Sequence, residues 1–230
     1  MMLSFVQQVC VAALPIIFAI TVHEAAHGYV ASKLGDQTAR LMGRVSLNPA
    51  KHIDPFGTVI LPLLMLALGG FIFGWAKPVP ITWRNLKNPR RDMALVAAAG
   101  PGANLMMAFL WGIIAKINTS FLLTHSQLGT MGFSITQFVH LTAQFGIMIN
   151  CVLLVINMIP IPPLDGSRVA SSLLPAPLAR KYNRLEMYGM WIFLGILFLL
   201  LFTNAMYVIQ IPIEGLMHWI YTVLGLNVML

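Results

Sequence analysis

Apolar positions in this chain gather into long runs. Four of them, at about residues 3–30, 93–116, 137–160 and 186–209, are nearly uninterrupted. Each reaches the roughly 20 residues that an α-helix needs to cross a bilayer. A fifth run, GTVILPLLMLALGGFIFG at 57–74, is shorter and is broken by Pro62 and by the pair Gly69–Gly70. The tail 210–230 is apolar with one acid, Glu214, and reads as an interfacial or partial span. The pattern predicts an all-α polytopic membrane protein with about four transmembrane helices and a re-entrant or membrane-associated segment at 57–74. No repeat, low-complexity stretch or linker divides the chain. It reads as a single integral-membrane domain over 1–230, with a core at about 3–175 and a C-terminal span and tail at 186–230.

Composition agrees with a lipid solvent. The chain is 58% hydrophobic and 9% charged, too little polar surface to coat a water-soluble domain of this size. The net charge of +7 does not point to nucleic acid, because the basic residues sit beside the apolar runs and form no stripe interleaved with aromatics. Cys10 and Cys151 both lie inside apolar runs, so no disulfide framework is expected. The first apolar run lacks a basic leading region and is followed by His and Glu, unlike a cleaved signal peptide. The fifteen methionines suit apolar packing, since no Met-x-x-Met cluster stands beside a histidine.

Charge then orients the spans. Lys33, Arg40, Arg44 and Lys51 fall in 31–56, and Lys77, Arg84, Lys87, Arg90 and Arg91 in 75–92. Arg168, Arg180, Lys181 and Arg184 fall in 161–185, whereas 117–136 holds no charge at all. The positive-inside rule assigns the first three segments to the cytoplasm and the fourth to the outside. The run 57–74 has basic residues on both sides and so cannot cross once, which is why it is expected to re-enter where protein or water lines it. Four crossings with both termini outside follow; two crossings by a pair of broken helices also fit the charges.

Against this background TVHEAAHGYVASK, at 21–33, is out of place. Positions four apart share a helix face about 6 Å along the axis, so His23 and His27 can hold one metal ion while Glu24 projects beside it. H-E-x-x-H is the pattern of zinc hydrolases. A chance match is expected in roughly one chain in a hundred of this length, and rarer still in an apolar span, where each ionisable group is costly. A catalytic zinc takes three protein ligands, and the chain has only seven acids. Asp165, in VINMIPIPPLDGSR, stands out: Pro160, Pro162 and Pro163 stop a regular helix after Asn157, and Gly166 allows a sharp turn. Charge-based topology, drawn without these residues, brings His23, His27 and Asp165 to the same side. The bland alternative for Asp165 is a turn-forming Asp-Gly pair.

The chain resembles the site-2 protease family of intramembrane zinc metalloproteases (peptidase family M50), and within it the compact branch without PDZ or CBS domains. The matching stretches are HEAAH (23–27), AGPGAN (99–104) and NMIPIPPLDG (157–166), with SLNPAKHIDPFGT (46–58) and GWAKPVPI (74–81) in support. They extend over about residues 15–175. One departure is that no complete span precedes the H-E-x-x-H helix, so the gating helix of longer members is expected to be absent or replaced. The resemblance implies His23, His27 and Asp165 as ligands of one catalytic Zn2+, Glu24 as general base, and Asn157 as a donor toward substrate or a developing oxyanion. An ordinary helix-end asparagine is the plain alternative for Asn157.

Weaker signals surround this set. His52 could be a ligand, orient one, or touch substrate, although an interfacial loop histidine commonly does none of these. Asn104 follows Gly100, Gly102 and Ala103, so close helix packing is its leading reading, with a polar contact to the site or substrate as the second. His125, His140 and His218 are placed away from the site. The expected partner is a transmembrane protein substrate in the lipid bilayer of the cell membrane, cleaved toward the cytoplasmic side. The segment 46–81, with its KPVPI stretch, is the expected seat for an unwound substrate paired along a backbone edge. The oligomeric state is open, a homo-oligomer included. The rivals are a membrane zinc transporter and a non-catalytic member that only binds membrane helices. A transporter would want polar groups along a whole path, whereas these cluster near one face.

Overall fold

The computed structural model describes residues 4–60, 64, 74, 76–124 and 130–226. Among these residues the structure is helical and has no strand. The helices are α1 (Phe5–Lys33), α2 (Thr38–Leu41), α3 (Pro89–Thr124), α4 (Thr130–Asn157), α5 (Asp165–Leu173), α6 (Ala176–Asn183), α7 (Gly189–Phe202) and α8 (Tyr207–Leu224). Four stretches are long and apolar enough to cross a membrane: Phe5–Lys33, Pro89–Phe121, Ser134–Asn157 and Ala176–Phe202. The expected polytopic helical protein is therefore what the chain forms. Of the expected re-entrant segment 57–74, the part 57–60 lies in a short helical turn, and most of the remainder lies outside the described residues.

Local chemistry sets the helix ends. Ser4 and Gln7 cap α1 reciprocally, each side chain bonded to the other's backbone N–H. After Lys33 the chain turns at Gly35, whose φ of +119° disfavours a side chain and whose Cβ would meet the Asn85 carbonyl at 2.8 Å. Pro89 starts α3 where no intrahelical N–H is required, and Asp92 reaches back to the Asn88 N–H at 2.8 Å. The α4 helix ends at Asn157, just before the proline-rich turn that the sequence predicts.

Packing centres on α3, which lies against α1, α4 and α5. Ala108, Trp111 and Ala115 of α3 form a buried cluster with Ala143, Ile147 and Cys151 of α4 and Ile220 of α8. Small residues permit this proximity, as is usual where lipid removes the hydrophobic drive between helices. A Cβ on Gly146 would come within 2.4 Å of the Trp111 ring, and one on Gly112 within 2.3 Å of Leu224. The tail that reads as an interfacial or partial span thus contributes a core helix. Phe109 faces Trp219 while Gly112 faces Leu224, so α8 runs in the same direction as α3. By contrast α7 presents Trp191, Phe198 and Phe202 outward.

The three basic segments meet at one end of the bundle. The Lys87 N–H bonds to the Leu34 carbonyl at 3.0 Å. Arg44 donates to the carbonyls of Lys77 and Pro78 at 2.8 and 3.2 Å. Arg90 donates to Ser172 O at 2.7 Å and to Leu174 O, closing the end of α5. Every lysine and arginine except Lys116 belongs to these segments.

Candidate metal centre

Two parts of the chain more than a hundred residues apart converge here. One turn of α1 presents His23 and His27, and the first residue of α5 presents Asp165. The two Nε2 atoms are 3.0 Å apart, and each lies 3.2 Å from Asp165 Oδ2. Asp165 opens a helix instead of sitting in the turn that Asp-Gly suggested. Gly166 makes the position possible, because a Cβ there would stand 2.3 Å from the Met158 carbonyl at the end of α4.

The far side of each imidazole is fixed by α3. His23 Nδ1 donates to Asn104 Oδ1 at 2.6 Å, and His27 Nδ1 donates to the Val96 carbonyl at 2.7 Å. Both rings are buried. With the proton on Nδ1, each Nε2 lone pair is turned toward Asp165.

This donor set fits a divalent cation. Two neutral imidazoles and a carboxylate are common zinc ligands, and atoms bound to tetrahedral zinc at 2.0–2.2 Å lie roughly 3.3–3.6 Å from one another. The observed triangle is close to that. Three lone-pair atoms facing one another at this range repel unless positive charge lies between them. The room is also built in: a Cβ on Gly100 would fall 2.4 Å from His27 Nε2 and 2.6 Å from His23 Nε2. Among the described residues, this is the one group of three such side chains close enough to share an ion.

Beside the triangle, Glu24 accepts a hydrogen bond through Oε2 from the backbone N–H of Val79 at 2.8 Å. The donor belongs to the non-helical segment 76–82, which is secured at both ends. Lys77 N–H bonds to the His52 carbonyl at 3.0 Å, and Thr82 N–H bonds to Asp36 Oδ2 at 2.6 Å.

The sequence model described as Peptidase family M50 matches residues 11–202. The chain belongs to peptidase family M50. YwhC of Bacillus subtilis, named as a zinc metalloprotease, is 40% identical over 179 residues, 78% of this chain and 76% of that protein. Rip2 of Mycobacterium tuberculosis, also named as a zinc metalloprotease, is 29% identical over 208 residues, 90% of this chain and 71% of its own. No solved structure matches significantly. The protein is accordingly a zinc metallopeptidase with membrane-spanning helices, and the family sets aside the transporter reading.

The other residues singled out in this M50 chain occupy varied positions. Asn104 is fully buried, with its amide nitrogen bonded to Asn150 Oδ1 at 2.9 Å and to the Ala19 carbonyl at 3.4 Å. It reaches the site through His23. His52 is also fully buried and donates from Nε2 to the Ser46 carbonyl at 2.8 Å, bracing the loop that supports Lys77. Asn157 is half-buried and bonds its amide to Leu153 O one turn back, at 2.9 Å. His140 and His218 do not join the metal-capable group, and His125 lies outside the described residues. Several contributors escaped the sequence reading, among them the Val96 carbonyl, the Val79 N–H, the Asp36 carboxylate and Asn150. An amide in the middle of an apolar span is itself a signal for Asn150. A backbone carbonyl leaves no such trace.

Proposed function

We propose that the chain is an intramembrane protease that hydrolyses peptide bonds of transmembrane substrates near the cytoplasmic face of the cell membrane. The observation that carries this reading is the convergence of His23, His27 and Asp165 on one point, with Glu24 alongside. In it the three are ligands of a single zinc ion, Glu24 is the general base, and the whole chain is one catalytic membrane domain. Bound there, zinc supplies a Lewis acid for a scissile carbonyl and acidifies water. Val79 holds one oxygen of Glu24, leaving Oε1 to take the proton of an attacking water and deliver it to the departing amine. The meeting of the three basic segments supports a cytoplasmic site.

A transmembrane helix keeps its carbonyls in its own hydrogen bonds, so the substrate must unwind before attack. The segment 76–82 suits an extended partner. Pro78 and Pro80 have no N–H, so between residues 77 and 81 the donors come from Lys77, Val79 and Ile81 alone, which alternate to one side when the backbone is extended. Lys77 and Val79 are already bonded, and Ile81 is left to pair with the substrate. Asn157 has one amide N–H beyond its bond to Leu153 and serves as a donor to the substrate carbonyl. His52 acts on the reaction by bracing this segment.

The test is co-expression with tagged single-span membrane proteins, comparing wild type with Glu24→Gln and Asp165→Ala. Glu24→Gln should keep its zinc and lose about 10²–10⁴-fold in turnover. Asp165→Ala should lose both zinc and turnover. Wild-type protein purified without stoichiometric zinc, or an Asp165→Ala variant unchanged in both measures, would reject the proposal.

A further inference from the structure

Each imidazole needs its Nδ1 proton directed away from the metal position, and the two histidines meet that need differently. His27 faces a backbone carbonyl, which can only accept. His23 faces a side-chain amide, which could present either its oxygen or its NH2. If Asn104 were turned over, its NH2 would confront Nδ1, and the His23 proton would move to Nε2, where it would block metal binding. Something must select the orientation of Asn104.

We infer that Asn150 does so, as a positioning residue in a polarised relay running from α4 through α3 to α1. The inference rests on the metalloprotease reading above. Its starting point is unambiguous: the Gly146 carbonyl can only accept, and Asn150 Nδ2 donates to it at 2.8 Å. That contact turns Asn150 Oδ1 toward Asn104, whose Nδ2 donates to it at 2.9 Å. Asn104 Oδ1 is thereby turned to His23, where it accepts the Nδ1 proton at 2.6 Å. A further contact from Asn104 Nδ2 to Ala19 O, at 3.4 Å, favours the same orientation. Reversing any link would set acceptor against acceptor or donor against donor. Both asparagines are fully buried, so water is not at hand to repair a mismatch. The relay fixes the tautomer of His23 before any ion arrives.

Two measurements on the full-length protein test this: zinc affinity by competition with a chromogenic chelator, and ¹⁵N NMR of histidine-labelled, zinc-free protein, with His23 assigned by its loss in His23→Gln. Wild-type His23 should carry its proton on Nδ1. Asn104→Leu should weaken zinc binding about 10–100-fold, the range for removal of a group that orients a ligand. Asn150→Leu touches neither His23 nor the metal position, yet should weaken binding at least threefold and give a mixed tautomer at His23. An Nε2-protonated His23 in wild type overturns the relay without recourse to any variant. So does Asn150→Leu with wild-type affinity and tautomer. Absence of zinc binding by wild type would instead strike at the metalloprotease reading, whatever the tautomer.

Discussion

The carboxylate of Glu24 is held by the backbone N–H of Val79, 55 residues further along the chain, at 2.8 Å. A side chain on a membrane-embedded helix is thus aimed by a loop at the bundle's basic end. Val79→Pro deletes the donor while keeping an apolar residue. We expect zinc content to be retained and hydrolysis to fall about 100-fold, within the range for loss of a well-placed proton acceptor. Ile81→Pro, assayed in parallel, should also retain zinc but fail chiefly through weaker substrate binding, seen as a raised KM. Normal cleavage by Val79→Pro would mean that Glu24 needs no such support.

Two glycines in AGPGAN predict opposite outcomes for one chemical change. A methyl at Gly100 would collide with both imidazoles, the nearest atom being 2.4 Å from the new Cβ. Gly100→Ala should therefore reduce zinc occupancy and hydrolysis more than tenfold, even though alanine favours a helix by about 1 kcal/mol over glycine. At Gly102 nothing lies within 4 Å of a Cβ. Gly102→Ala should keep zinc and activity, and the thermal midpoint should hold or rise. Metal analysis and melting curves of the two variants, side by side, decide the matter.

Asp36 is fully buried just beyond α1 and accepts from the Thr38 N–H and hydroxyl, the Thr82 N–H and the Asn85 amide. Burial opposes its ionisation, but these donors outweigh that cost and hold its carboxyl below the usual range. The folded value lies under the unfolded one, so the stabilisation is complete above about pH 4 and fades as pH falls through the folded value. Asp36→Asn should cost about 1–3 kcal/mol at pH 7, because an amide cannot accept from every donor present. It should also flatten the acid limb of a plot of thermal midpoint against pH. An unaltered limb would remove Asp36 as its source.

What was legible in the sequence follows the periodicity of helices. His23 and His27 announce themselves through a four-residue spacing, and the proline cluster after Asn157 marks where α4 must stop. Asp165 was recognisable because acids are so scarce. The basic segments foretold their own meeting, since membrane insertion sorts charge before packing begins. Contacts made by backbone atoms left no mark: neither the Val96 carbonyl nor the Val79 N–H depends on which side chain it carries. Gly100 looked like a packing residue because its function is to have no side chain. The role of α8 in the core was hidden as well, for an apolar helix facing lipid and one facing protein are written in much the same letters.

Arg90, Val96, Gly100 and Asn104 all belong to α3, and together they touch the end of the helix bearing Asp165 and both histidines. The site therefore has a common keel. A tilt or slide of that one helix would disturb all three corners of the triangle in concert, whereas α7 bears only on the turn before Asp165, through Gly189 against Pro162 and Pro163. A push on α3 from within the bilayer would therefore be felt at every corner at once.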